Sequence, residues 1–295
     1  MTVGVAAKTV QGPAIVLMTD RQFGIGEDEL KTEEPVGKVF SAANGWVAAY
    51  AGDPTFSESV IAWAGTKWNE IPEGERPTFQ IGMMKHFHRA YLDQFEDAVD
   101  RNVLRPRLLN MDIWREQIIK TGFDPALRSE IETEFALYER DHGCELLLCG
   151  FDPRGNAHIV TVGLHEQQHE HEWAAIGTGG DIARGRLVWQ KTHQYGSLAR
   201  TVYEVFEAAS HASMNPSVGE NIDAVLLLKD RALDVQNGMM ELMRQVVRYR
   251  AQTPFTNSIR YEDKTVDPPP SDWQSQLMTW ANGVADYPSN TDASS

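Results

Sequence analysis

The segment GKVFSAANGWVAAYAGD, residues 37–53, constrains the fold more than any other part of this chain. Two short apolar runs flank Ala43-Asn44-Gly45, and an Asn-Gly pair tolerates the left-handed backbone that a tight hairpin turn demands. Strands joined so closely pair antiparallel, because a parallel pair needs a crossover of a dozen or more residues. A second pair opens the chain, where TVGVAAKT and AIVLMTD are separated by Gln11-Gly12-Pro13. A third, CELLLCGFD and AHIVTVGL, is joined by Pro153-Arg154-Gly155-Asn156, a run rich in turn-forming residues.

Helical periodicity falls between these strands in blocks. After Pro54, the residues Phe56, Val60, Ala64 and Trp68 recur about one turn apart, and Met83, Phe87, Tyr91 and Phe95 repeat the pattern. Pro72 to Arg140 is charged and mostly helical, with Pro106 and Pro125 as punctuation, and reads as a surface excursion. Further on, AAIGTGGDIARGRLVW predicts an apolar entry, a Gly-rich turn and a helix. SLARTVYEVFEAA predicts an amphipathic helix, NIDAVLLLKD a buried strand, and Met239 to Arg250 a last helix. Hairpins with helices grouped around them predict an α+β fold of antiparallel sheets covered by helices. Residues 1–250 are expected to form one domain, with the helical excursion at about 70–140. Residues 251–295 turn Pro-, Ser- and Asp-rich and read as a tail, with Pro268-Pro269-Pro270 as a stiff spacer and Trp273 and Trp280 marking a part that docks.

With 295 residues, 42% of them hydrophobic and 23% charged, the chain has an ordinary globular composition. Its 27 basic residues against 42 acidic ones give a net charge of −15, which repels phosphate backbones and anionic lipid and argues against nucleic-acid or membrane partners. The N-terminus lacks a basic region followed by a small-residue cleavage site, and the longest apolar runs, such as Ala14 to Met18, are strand length. The expected location is cytoplasmic. Cys144 and Cys149, the two cysteines, would face opposite sides of a strand, which suits two buried thiols rather than a disulfide or a metal pair.

His165-Glu166-Gln167-Gln168-His169 matches the H-E-x-x-H pattern of zinc peptidases. That chemistry needs a regular helix to put both histidines on one face. Here strand-like HIVTV and Gly163 precede the motif, and only seven residues separate His169 from Gly177. A polar hairpin tip fits that space and a long helix does not. GTGGDIARG lacks the G-K-[ST] ending of a phosphate-binding loop and opens no βαβ unit.

A stronger constellation lies at the other end. Thr2 follows the initiator Met, and a small second residue permits removal of that Met. The mature chain would then carry a free threonine amine beside its own hydroxyl, a self-contained nucleophile and base. Such an amine titrates near neutrality, at about 8, and a neighbouring cation lowers it. Lys38, opening KVFSA, could supply the cation, and Asp20, ending IVLMTD, could hold Lys38 in place. A plain surface ion pair is the alternative for these two residues.

Thr2, VLMTDR with Asp20, GKVF with Lys38, AYAGD with Gly52, LLLCGFDPRG and AIGTGGDIARG occur in one order, with fourteen residues from Lys38 to Gly52. In this the chain resembles proteasome β subunits and their bacterial relatives, the peptidase partner of the bacterial unfoldase and the ancestral β-subunit type, all N-terminal nucleophile (Ntn) hydrolases. The resemblance covers roughly residues 2 to 235. It implies a four-layer αββα sandwich and a threonine peptidase with Thr2 as nucleophile, Asp20 and Lys38 as its tuning pair, and the Gly52 N–H as oxyanion donor. It further implies that Thr178 stands where the family usually has Ser, and that Ser217 supports the terminal amine. The family often carries an Asp three residues before that Ser, and here Met214 occupies the position. The resemblance implies no cofactor or metal, a peptide or unfolded protein as substrate, a homo-oligomeric ring or spiral, and a separate ATPase unfoldase. A non-catalytic or narrowly specific amidase of the same fold is the alternative, and a zinc peptidase using the H-E-x-x-H motif is a lesser one.

Overall fold

The computed structural model describes residues 2–9, 14–25, 30–33, 38–42, 45–76, 80–119, 124–165, 167–170, 172–190, 196–215, 218–252 and 269–285. Along the chain, β1 (Gly4–Lys8) and β2 (Ala14–Asp20) form the first hairpin, and β3 (Gln22–Ile25) with β4 (Leu30–Glu33) forms a small separate one. The segment around Asn44 gives β5 (Val39–Ser41) and β6 (Val47–Gly52), paired from Val39↔Ala49 to Ser41↔Val47. Gly45 adopts φ 73°, while Ala43 and Asn44 lie outside the described residues.

Asp53 caps α1 (Pro54–Glu70), accepting from Phe56 N at 3.0 Å, and Pro54 occupies the first turn, where its missing N–H costs nothing. The excursion follows as α2 (Gln80–Val99), α3 (Met111–Ile119) and α4 (Pro125–His142). The chain then returns to strands with β7 (Cys144–Phe151), β8 (Ala157–Val162), β9 (Gln167–Glu170) and β10 (Trp173–Ile176). Helices α5 (Gly180–Gln190) and α6 (Leu198–Ala212) precede β11 (Ile222–Leu228) and β12 (Arg231–Asp234). Helices α7 (Asn237–Gln252) and α8 (Trp273–Ala285) complete the described chain.

Two five-stranded antiparallel sheets result, ordered β10-β1-β2-β11-β12 and β5-β6-β7-β8-β9. Strand alternation divides their side chains between layers. Ile15 and Leu17 of β2 meet Ala49 of β6 and Leu147 and Cys149 of β7 between the sheets. Val16 and Met18 point the other way, against Ala183 of α5 and Val202 and Phe206 of α6. On the outer face of the second sheet, Phe56, Val60, Ala64 and Trp68 of α1 and Met83, Phe87 and Tyr91 of α2 pack on Tyr50, Leu146 and Leu148. The architecture is the αββα sandwich, and every residue of β2 is buried because both its faces are covered.

The excursion has a small core of its own, built from Val99, Val103, Leu104, Trp114 and Ile131. Cys144 packs against the helices and Cys149 between the sheets, as their spacing requires. Burial pushes both thiols up, Cys144 to about 12, which makes them poor nucleophiles. Helix α8 lies within the Pro- and Ser-rich stretch. Its Leu277 and Ala281 join the core beside α6 and α7, and Trp273 and Trp280 pack partly against it. Among the described residues no helix is long and apolar enough to cross a membrane.

Candidate active site

The register of the first hairpin puts the start of β1 beside the end of β2, with Gly4 opposite Thr19. Thr2 therefore lies next to Asp20 and is itself almost wholly buried. Asp20 N donates to Val3 O at 3.2 Å, and Val3 N donates to Asp20 Oδ1 at 3.0 Å. Lys38, immediately before β5, reaches the same point from the other sheet. Its Nζ donates to Asp20 Oδ1 at 3.0 Å and to Thr2 Oγ1. Both the lysine and aspartate side chains are 0% exposed, which excludes a surface ion pair. A buried pair of this kind persists only where hydrogen bonds satisfy its remaining lone pairs. Asp20 Oδ2 meets that need by accepting from Gly219 N at 2.9 Å. One carboxylate thus ties together the entry to β1, the entry to β5 and the loop before β11.

Glycines close the surroundings of Thr2. Gly177 follows β10 with φ 81°, and a Cβ there would lie 2.2 Å from Thr2 O and 2.8 Å from Ala51 Cβ. The end of β6 is thereby held beside the start of β1, with Gly52 next in line. Gly52 has φ 116°, and its Cβ would meet Gly143 O at 2.3 Å and Cys144 Cα at 2.7 Å. Sequence reasoning explains this glycine by the approach of a reacting carbonyl, but the structure explains it by the approach of β7. Glu145 of β7, exposed, accepts from Gly177 N at 2.6 Å.

The structure thus brings Thr2, Asp20 and Lys38 into direct contact, and the Gly177 turn packs on both Thr2 and Ala51, the residue before Gly52. Thr178 is exposed in the turn between Gly177, which packs on Thr2, and Gly179, whose N–H donates to Thr2 O at 3.5 Å. Ser217 lies outside the described residues, and Met214 is 40% exposed. Gly219 and Glu145 are absent from the sequence reading, since a backbone N–H and a strand residue at a sheet end carry no local signal of partnership.

Among solved structures, an Anbu (Gly-1) mutant from Hyphomicrobium sp. strain MC1 matches with a TM-score of 0.58, covering 90% of this chain and 100% of that one at 12% identity. The chain has the fold of a proteasome-like Ntn hydrolase. That likeness supports a proteasome-like Ntn fold and does not single out the unfoldase-partner type. No protein-family model matches the sequence, and no curated protein matches it significantly.

On this Ntn fold the other two motifs acquire structural explanations. Gln167, Gln168 and His169 lie in β9, with His169 paired opposite Val160 of β8, so no helix carries the two histidines on one face. His165 is exposed and sits 3.1 Å from Glu139 of α4. In the Gly-rich turn, a Cβ on Gly179 would come within 2.9 Å of Ala212 Cβ and 3.1 Å of Val3 Cβ. That glycine serves close packing of the turn against the end of α6 and the start of β1, and the N–H groups of Gly179 and Gly180 are already donated to Thr2 O and Gly177 O.

Proposed function

We propose that this chain is a threonine-type Ntn hydrolase cleaving peptide bonds, with Thr2 as nucleophile once Met1 is removed. The observation that carries this reading is the fully buried Lys38, whose Nζ donates to both Thr2 Oγ1 and Asp20. An ammonium held against a hydroxyl favours its alkoxide character, and a free α-amine beside it can take the proton. In the proposed cycle Oγ1 attacks the scissile carbonyl while its proton passes to the Thr2 amine. The Gly52 N–H stabilises the resulting oxyanion. Collapse expels the leaving amine with that proton and leaves an ester on Thr2, which water then hydrolyses. Thr178 and Ser217 are assigned to support of the amine.

The proposed substrate is an extended peptide or unfolded chain, processed in the cytoplasm inside a homo-oligomeric ring or spiral supplied by a separate ATPase. Domain limits of 1–250 for the hydrolase and 251–295 for the tail belong to the same reading. Met214, exposed where the family's Asp would stand, favours a second reading, a non-catalytic or narrowly specific amidase.

Hydrolysis of fluorogenic peptides is the test. Thr2→Ala abolishes it, whereas His165→Ala and a chelator leave it unchanged. Activity that survives Thr2→Ala overturns the proposal. Light scattering coupled to size exclusion separates an oligomer from a monomer, the monomer favouring the amidase.

A further inference from the structure

Away from Thr2, on the outer face of the first sheet, a cavity of 690 Å³ lies among α5, α6, α7 and α8. Its size is that of a ligand site. The floor is one face of α6 from Ala199 to His211, about 18 Å long at the helical rise per residue. An extended chain of about five residues covers that length.

The groove buries two carboxylates, Glu204 and Glu207, and several polar atoms around them are incompletely paired. Arg200 meets Glu204 at 2.6 Å, and Arg186 meets Glu207 at 2.8 Å. Glu204 is 5% and Glu207 3% exposed. Among the described residues, Glu204 Oε2 nevertheless has no hydrogen-bond partner, and neither has Gln190 Oε1 or Arg186 Nε. Leaving such groups buried and unmet is unfavourable, because the desolvation penalty of each is not repaid by a hydrogen bond. Two acceptors and one donor call for a ligand that donates twice and accepts once. A simple anion satisfies neither acceptor, and a simple cation does not satisfy the donor. Successive peptide units supply both N–H and C=O groups at short intervals.

Aromatic rings complete the site. Trp189, 72% exposed, stands at the rim with the Arg186 guanidinium 4.4 Å from its ring, and Trp273 lies 5.2 Å from Tyr203. Trp, Tyr and Arg are the residue types enriched in recognition hot spots, and all three line this groove.

We propose that this groove binds an extended peptide segment of about five residues, with backbone amides donating to Glu204 and Gln190 and a carbonyl accepting from Arg186 Nε. The inference deepens the peptidase reading and rests on it for the role of the groove, which is to hold a stretch of substrate away from Thr2.

The test is photo-crosslinking of the full-length protein with an acetylated, amidated pentapeptide of alanine and glutamine around a central benzoylphenylalanine, followed by mass-spectrometric mapping. Saturable labelling of α5 and α8 is expected, competed by the unlabelled peptide and reduced at least tenfold in Trp189→Ala and Glu204→Gln. Trp189 is a surface residue, so its variant tests the site even if Glu204→Gln does not fold. Labelling confined to residues beside Thr2, labelling that excess peptide does not compete, or equal labelling of wild type and Trp189→Ala overturns the proposal. So does a smaller particle for Trp189→Ala with no groove labelling, which makes this face a contact between copies. The readout needs no turnover, so an inactive protein that is labelled in the groove refutes the peptidase reading alone.

Discussion

Lys38 Nζ lies 3.0 Å from Asp20 Oδ1 with both side chains fully buried, and the same ammonium donates to Thr2 Oγ1. Removing one member of such a pair leaves an uncompensated charge in the interior, at a cost of about 3–5 kcal/mol. Lys38→Met is therefore expected to lower unfolding stability by that amount and to eliminate peptide hydrolysis. Adding Asp20→Asn should recover part of the stability and none of the activity. Urea denaturation and peptide turnover on the three proteins check both arms.

Gly177→Ala tests the closeness of the loop to Thr2. Its φ of 81° disfavours any side chain, and its Cβ would sit 2.2 Å from Thr2 O. Strain and displacement together should cost about 3 kcal/mol or more. Gly65→Ala in α1, where a Cβ meets nothing within 4 Å, should instead be neutral or stabilising. Thermal unfolding of the two variants distinguishes them.

Processing of the N-terminus is measurable by intact mass. The mechanism requires a free Thr2 amine, so protein from its native host should lack Met1, and its turnover should rise with pH as that amine deprotonates, near pH 8 or below. Quantitative retention of Met1 would move the function toward the non-catalytic reading.

Stability against acid has a local source at the β7–β8 turn. Burial alone would push Asp152 up, but Asn156 donates to both its oxygens at 2.9 Å and His158 stands 3.3 Å away, which together hold the carboxyl down to about 2. An unfolded carboxyl titrates at about 4, so between those values the unfolded chain binds the proton more readily. The stabilisation, about 1–2 kcal/mol, is fully present above pH 4 and is lost as pH falls towards 2. Asp152→Asn should therefore be less stable than wild type at pH 6 and nearly equal to it at pH 2, as read by urea midpoints.

Local chemistry was enough to place the hairpins and helix faces in this chain. An Asn-Gly turn, alternation in the strands and the one-turn spacing of Phe56, Val60, Ala64 and Trp68 are short-range signals, and all four of those side chains are buried. Thr2, Asp20 and Lys38 were also legible, each at a strand end and in the order of a known family. Weaker local signals failed. The strands β3, β4, β9 and β12 are four residues each, too short for alternation to register, and α8 was concealed in a Pro- and Ser-rich composition. Tertiary structure decided whether the candidate residues meet. Asp20 and Gly219 stand 199 positions apart, and they are neighbours only because β11 pairs with β2, Ile222 opposite Asp20. The burial of Lys38 likewise follows from the second sheet closing over the first, since a lysine at a strand entry is ordinarily solvated. Residue type and spacing set what each segment can form; which segments touch, and in how much water, depends on the order of strands in the two sheets.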